Sequence, residues 1–511
     1  MWKVLLISLA LGSFACSHYS TRVPASISDE SDLLAIIDSL AREVEAPVSS
    51  TTHCSEGLEL YYKKMLNMTS SSININALKG DSIDQVINRS FEARLMIKEK
   101  LKQLDLKTDV DARCLVAVQD VLRALRYVED YMIEMKVVKE QGQTDKESFM
   151  SLEGEAPYFL VNPKFSDFKG PEDLKSGDLI LSRGNAHSSA AIARIGTVDQ
   201  QFSHLSFVYR DDKGELYTIE AHIEVGSIAE PLQEHLDSHN AREVVFRFND
   251  AEMAHQAAKI MYEKVRTRQD KRDNIQYDFS MDYKNNDRIF CSEMIYDGFK
   301  LASDGKLNIP LYKTKFGVGM IPFLNGIGVK VTKENIDQFD TFSPADIEFD
   351  PRFEMVAEWR NPAKMSDIRI KDAILTKLFE WMEKENYEFH PSVGMNLSSR
   401  AAWMARRLPI VKKKLTEKFP LNMKSSQLRL FMVLDDVAEP VYEYVTKLEK
   451  DRSHPFSPVE LYQAIEALKV ADAKAYQTNP KAKPVFHKLF RPKTMKKARS
   501  PSRPMGPPHR R

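Results

Sequence analysis

The sequence predicts an α+β fold: a mixed strand-and-helix unit in the middle of the chain, with mainly α-helical regions on either side. Three observations carry this. From Ser31 to about Gln141, apolar residues recur at 3- and 4-residue steps, the period of an amphipathic helix. From Lys175, short β-branched and aromatic runs bounded by turn residues take over, as strands require. Residues 351–478 return to helical composition, with Pro-containing breaks at 361–362 and 455–458. The 511 residues leave room for two to four domains, and 43% hydrophobic with 29% charged residues excludes a disordered or collagen-like chain.

Taken in order, residues 1–15 read as an export signal peptide. Lys3 supplies the positive end, Val4 to Leu11 is an apolar run broken only by Ser8, and small residues Ser13 and Ala15 follow. The run is far short of the ~20 residues of a spanning helix. Cys16 directly after Ala15 resembles a bacterial lipobox, which implies lipidation of Cys16 and a membrane anchor. The alternative is ordinary cleavage after Ala15 with Cys16 left as a free thiol. Residues 16–30 are polar and Ser-rich and read as a tether. A helical N-terminal domain is expected over 31–150. Leu33, Leu34, Ile36, Ile37 and Leu40 share one stripe, and Val86, Ile87, Leu95, Ile97 and Leu101 a second. Leu115, Val118, Leu122, Leu125, Val128 and Met132 make a third. In the α+β unit, over 170–350, the expected strands are 177–181, 206–209, 216–219 and 244–248. Asp211-Asp212-Lys213-Gly214 turns the second strand into the third, so these two form a hairpin. Helices are expected at 251–266 and 291–303. A helical region over 351–480 follows. The last stretch, 481–511, has eleven Lys/Arg, six Pro and no acid, and reads as a basic, disordered tail.

Three short sequences in the central unit carry chemistry. His204 opens an apolar strand (Ser203-His204-Leu205-Ser206-Phe207-Val208). Glu220 closes the next (Tyr217-Thr218-Ile219-Glu220-Ala221). Cys291 stands where a helical pattern begins (Phe290-Cys291-Ser292-Glu293-Met294). A free thiol ionises near pH 8.5. A helix N-terminus and a neighbouring imidazole both favour the thiolate, and a third polar group fixes the imidazole. The hairpin lets His204 and Glu220 meet. Singly, each has a plainer reading: a buried small hydrophobe, a structural strand histidine, a surface ion pair, and, for Glu293, an ordinary first-turn acid.

Together they resemble a family. Gly177-Asp178-Leu179-Ile180, a small-residue helix from Ser188 to Gly196, the Ser-His strand and the Ile-Glu-Ala strand are similar to the circularly permuted NlpC-type papain-fold hydrolases of the YaeF/YiiX group. So are Tyr277-Asp278-Phe279 and Phe290-Cys291-Ser292-Glu293. The order His, Glu, Cys is the mark of the permutation. The resemblance covers about residues 170–350 and implies a permuted papain-like catalytic domain. Its triad would be Cys291 as nucleophile, His204 as base and acid, and Glu220 as orienter, with Tyr277, Asp278, Ser203 and Ser292 lining the site. It implies thiol hydrolysis of amide or ester bonds in peptidoglycan peptides or envelope lipids, with no cofactor.

Two rival readings compete. His235 and His239, at i,i+4, suit a zinc-dependent hydrolase if helical, but the intervening Leu236-Asp237-Ser238 lacks a zincin glutamate, so no metal is expected. A catalytically inactive wall- or lipid-binding module of the same fold is the other. Cys54 and Cys114 either pair, closing a loop of about 60 residues, or are buried thiols on separate helices. The 73 basic and 73 acidic residues cancel only because the tail is basic, leaving 62 against 73 in residues 1–480. The tail, with Phe486, Leu489 and Phe490 among its charges, suits an anionic lipid or polymer, and nucleic acid is not an expected partner. The expected location is a bacterial envelope, lipid-anchored. Ser17 in place of Asp favours the outer membrane facing the periplasm over the inner membrane.

Overall fold

The computed structural model describes residues 30–45, 51–70, 73, 78–104, 110–139, 149–238, 240–284, 287–405, 423–479 and 481–498. Residues 1–29, where an export signal and a lipidated Cys16 are expected, lie outside the described residues. Four helices come first: α1 (Glu30–Glu45), α2 (Thr51–Leu66), α3 (Gly80–Lys102) and α4 (Ala112–Lys139). Their stripes are core: Leu33, Ile37, Val86, Ile87, Val121, Leu122 and Leu125 are all buried. Cys54 of α2 and Cys114 of α4 form a disulfide with Cα atoms 5.5 Å apart.

The central unit runs β1 (Phe159–Val161), β2 (Leu179–Arg183), α5 (His187–Arg194), β3 (His204–Arg210), β4 (Leu216–His222), β5 (Gly226–Pro231), α6 (Leu232–Leu236), β6 (Arg242–Phe248) and α7 (Ala251–Asp270). After these come β7 (Gln276–Tyr277), β8 (Arg288–Ile289), α8 (Cys291–Ala302), β9 (Thr314–Lys315), α9 (Ile321–Ile327), β10 (Asp340–Thr341) and β11 (Phe353–Arg360). Seven strands make one antiparallel sheet in the order β1-β11-β6-β2-β3-β4-β5. Both faces of its middle are covered. Leu179, Leu181, Leu205, Phe207, Val244 and Phe246 join the interior shared with α1–α4, α7 and α8. Ile180, Val208 and Val245 face a smaller cluster with Trp359 and Leu174 on the other side. Burial on two faces is why these strands read as nearly unbroken apolar runs.

The expected hairpin is present as β3–β4. Asp211 takes the backbone N–H of Lys213 and of Glu215, both at 2.9 Å, and Gly214 supplies the positive φ of 88°. The Gly177-Asp178 pair also has a physical reason. Gly177 has φ +94°, and a Cβ there would lie 2.4 Å from the Cβ of Ala254 on α7, so only glycine lets the helix approach. Asp178 pins the turn to β6 through Arg247 at 2.7 and 2.8 Å.

Two expectations are corrected. Residues 353–360, placed in the helical C-terminal region, are β11, inside the sheet between β1 and β6. Their sequence hides the strand because Glu358 and Arg360 are charged yet wholly buried. They belong to a closed ionic network of four arginines and four acids. Arg94 and Arg126 come from the N-terminal helices, Arg242 and Arg360 from the sheet. Their partners are Glu129, Asp130, Glu348 and Glu358, for example Arg94–Glu129 at 2.8 Å, Arg360–Asp130 at 2.8 Å and Arg360–Glu358 at 3.0 Å. All eight side chains are buried, so the pairs hold only because each charge is matched.

The second correction concerns the tail. The C-terminal region is α10 (Met365–Glu385), β12 (Tyr387–Phe389), α11 (Val393–Ala405), α12 (Ser425–Lys450) and α13 (Pro458–Thr478), followed by β13 (Phe490–Pro492), which pairs with β12. Residues 481–498 are thus packed. Phe486 and Phe490 are buried against Trp381 and Tyr387, and Asp472 receives the backbone N–H of Phe486 and His487 at 3.0 Å. The aromatic residues expected to meet a lipid or polymer are spent on the core. Residues 499–511 lie outside the described residues. No helix among the described residues is long and apolar enough to cross a membrane.

Candidate active site

The site forms where α8 abuts the open end of the β3–β4 hairpin. Phe290 is extended, and α8 starts at Cys291, putting the thiol on the first turn. Gly298, further along the helix, meets the Phe207 ring of β3. A Cβ there would sit 2.9 Å from that ring, so glycine sets how closely thiol and hairpin approach.

The thiol of Cys291 is buried, at 5% exposure, and sits beside the His204 imidazole, near enough for each to shift the ionisation of the other. His204 Nε2 meets a Glu220 oxygen at 2.8 Å, which leaves Nδ1 for the sulfur. Burial alone would push the thiol up. The bond to His204, that ring's charge and donors on Ser292 outweigh burial and lower it. Burial likewise opposes the imidazolium, yet the contacts to Cys291 and Glu220 raise His204 to about 10. Glu220 is held well below the carboxylate range despite its burial, first by His235 and then by bonds from three imidazoles. These shifts favour a thiolate facing an imidazolium, with the Glu220 carboxylate at the other ring nitrogen.

Residues 173–356 match the family model described as "Permuted papain-like amidase enzyme, YaeF/YiiX, C92 family". By this match the segment is a papain-like domain of the YaeF/YiiX type. No curated protein and no solved structure matches the chain.

Around Cys291, His204 and Glu220, the papain-like domain sorts the lining residues expected from sequence. Tyr277 is buried close to the thiol. Burial first, and then the negative charge of Cys291, push its phenol well above the ordinary range. Ser292 Oγ lies 3.8 Å from the Cys291 sulfur. Ser203 does not line the thiol's contacts. Its Oγ accepts the Gly184 N–H at 3.2 Å and braces β3 against the turn after β2. Asp278 takes the Ser280 N–H at 2.9 Å and its hydroxyl at 2.7 Å, shaping the loop after β7.

Other contacts in the papain-like domain go beyond those expected from sequence. Glu220 serves three histidines: besides His204, His222 Nε2 is 2.6 Å from the same oxygen, and His235 Nδ1 is 2.6 Å from the other. Glu-x-His on one strand was the available signal for His222, since alternate residues share a face. His235 is on α6, and the i,i+4 pairing with His239 is not what it uses. It is buried and sits between Glu220 and Glu243, the latter at 3.4 Å, while His239 lies outside the described residues. Glu224 sits by His222 and His204, its carboxyl raised chiefly by burial. Glu293 is not an ordinary first-turn acid. It is fully buried, it accepts the Phe290 N–H at 3.2 Å, and burial with Asp297 nearby pushes it up to about 9, so it is neutral at pH 7.

Proposed function

We propose that the protein is a thiol hydrolase whose triad is Cys291, His204 and Glu220, cleaving amide or ester bonds through an acyl-thioester. The observation that carries this reading is the single imidazole of His204 spanning the thiol of Cys291 and the carboxylate of Glu220, with the thiol on the first turn of α8.

The chemistry follows from these contacts. The thiolate attacks the substrate carbonyl carbon, forming a C–S bond and an oxyanion. The backbone N–H of Cys291, at a helix position with no intrahelical acceptor, faces the developing negative charge. The imidazolium gives its Nδ1 proton to the departing nitrogen or oxygen, the C–N or C–O bond breaks, and a thioester remains. Water then enters. His204 takes its proton as the oxygen attacks the thioester, and the thiolate leaves with the acid released. Glu220 keeps the ring in one tautomer and balances its charge in both steps. Neutral Glu293 keeps a second negative charge away from the nucleophile.

Wall peptides or envelope lipids are the proposed substrates, at a bacterial envelope reached through a signal peptide and a lipid on Cys16, the outer membrane being preferred. The sequence of residues 1–17 supports the location. The test is labelling of the full chain with a thiol-reactive acyl probe, alongside digestion of muropeptides and of lipid esters and amides. Wild type is expected to label at Cys291 and release product from one class. Cys291→Ala is expected to do neither. Turnover by Cys291→Ala equal to wild type would end the thiol reading.

A further inference from the structure

The Cys-His-Glu chain needs one histidine, yet His222 crowds the same Glu220 oxygen as His204. Strand geometry explains how. Glu220 and His222 are two apart on β4 and so share a face, and β3 lies alongside with His204 at its first residue. The two rings meet edge to face with centroids 5.2 Å apart. His204 Nε2, His222 Nε2 and the Glu220 carboxylate each offer a donor atom, and all three lie within 4.8 Å of one another. The nitrogen–oxygen separations are 2.8 and 2.6 Å. A tetrahedral zinc ion with bonds of about 2.0–2.2 Å holds neighbouring donors about 3.3–3.5 Å apart. Each nitrogen–oxygen separation therefore needs to open by less than about 1 Å. The side chains of His204 and His222 are 22% and 35% exposed, so an ion reaches them from solvent. Behind them His235 Nδ1 holds the other Glu220 oxygen at 2.6 Å, the outer hydrogen bond that ligating carboxylates need.

We propose that His204, Glu220 and His222 form a zinc site that switches the hydrolase off reversibly. Two imidazoles and one carboxylate select a borderline cation over magnesium or calcium, which take oxygen donors. Each Nε2 gives up to solvent the hydrogen it lends to Glu220, and the metal takes the vacated lone pair. A water fills the fourth position on the exposed side. The sulfur of Cys291 stays out of the coordination sphere, because it faces the opposite edge of the His204 ring. Zinc breaks the His204–Glu220 hydrogen bond and pins the imidazole, so the ring can no longer shuttle protons. Binding stands on the cluster alone; its inhibitory consequence rests on the triad reading above.

The experiment uses the full chain purified without a histidine tag. Calorimetry with Zn²⁺ and absorption with Co²⁺ are run on wild type, His222→Ala, His222→Gln and Cys291→Ser, with circular dichroism confirming that each variant is folded. Expected are one equivalent of metal, cobalt ligand-field bands without a sulfur-to-cobalt charge-transfer band, and a spectrum unchanged in Cys291→Ser. Both His222 variants should bind at least 10-fold more weakly, and wild-type turnover should be lost with zinc and restored by a chelator. Failure to bind zinc at micromolar concentration overturns the proposal. So does a thiolate charge-transfer band, binding indifferent to His222, or turnover that persists with the site filled. Zinc bound at the cluster of a protein that turns over nothing upholds the site while removing the hydrolase reading.

Discussion

Replacing Glu293 with glutamine should stabilise the protein, and by more as the pH rises. Glu293 is fully buried on the first turn of α8, one oxygen takes the Phe290 N–H at 3.2 Å, and the other has no partner. Its carboxyl is raised from about 4.5 to about 9, chiefly by burial. The unfolded chain thus loses this proton near pH 4.5 while the folded chain keeps it to about pH 9. Between those values the folded state binds more protons, so stability falls as pH rises, by at most about 1.4 kcal/mol per pH unit. Glutamine keeps the acceptor for Phe290 and carries no proton to lose. From pH 5.5 to 8.5 the advantage of Glu293→Gln should grow by at most about 4 kcal/mol. Urea denaturation of both proteins at pH 5.5, 7.0 and 8.5 reads this directly. An advantage that stays constant across that range would refute the claim that Glu293 is buried as the neutral acid.

Four further outcomes are expected. Cys291→Ser and His204→Ala should each lower kcat/KM by at least about 10³-fold, because the nucleophile and its proton carrier act as a unit. Activity against pH should show its acidic limb below the ordinary thiol range and its alkaline limb near pH 10, where the imidazolium is lost; Glu220→Gln should move the alkaline limb down, as the carboxylate that raises His204 is gone. Reducing the Cys54–Cys114 bridge, which spans a separation of 60 residues, should cost on the order of 4 kcal/mol in denaturant titrations, and the Cys54→Ser/Cys114→Ser double variant should match the reduced wild type. Arg360→Met should destabilise by about 3–5 kcal/mol in the same assay, because Glu129, Asp130 and Glu358 lose a shared partner in a dry interior.

The parts of the molecule that sequence disclosed are those where one periodicity dominates. The helical stripes of α1, α3 and α4, the runs of β2, β3, β4 and β6, and the β3–β4 turn announce themselves because their buried residues are apolar. The strand β11 does not, since half its buried face is Glu358 and Arg360, whose partners sit more than 200 residues earlier, Arg94 and Arg126 for Glu358 and Glu129 and Asp130 for Arg360. Residues 481–498 mislead for the converse reason: their charges are at the surface, as with Lys493 beside Glu388, while two phenylalanines four apart are the core contact. At the site, Cys291, His204 and Glu220 were legible through their strand and helix ends. His235 shows in the sequence only as an i,i+4 partner of His239, because its contact with Glu220 across a turn of chain is one that no local pattern encodes.

The buried ionic network has a consequence for modularity. Residues 173–356 are recognisable as a family unit, but the boundary of that likeness is not a boundary of folding. Cutting there would remove Arg126 from Glu348 and Asp130 from Arg242, and would split β11 before Glu358. The excised piece would carry bare charges in its interior and an open sheet edge where β1 belongs. This chain has given up the portability of its hydrolase unit: the N-terminal helices serve it as an internal counter-charge, so the whole is expected to be inherited, expressed and degraded as one piece.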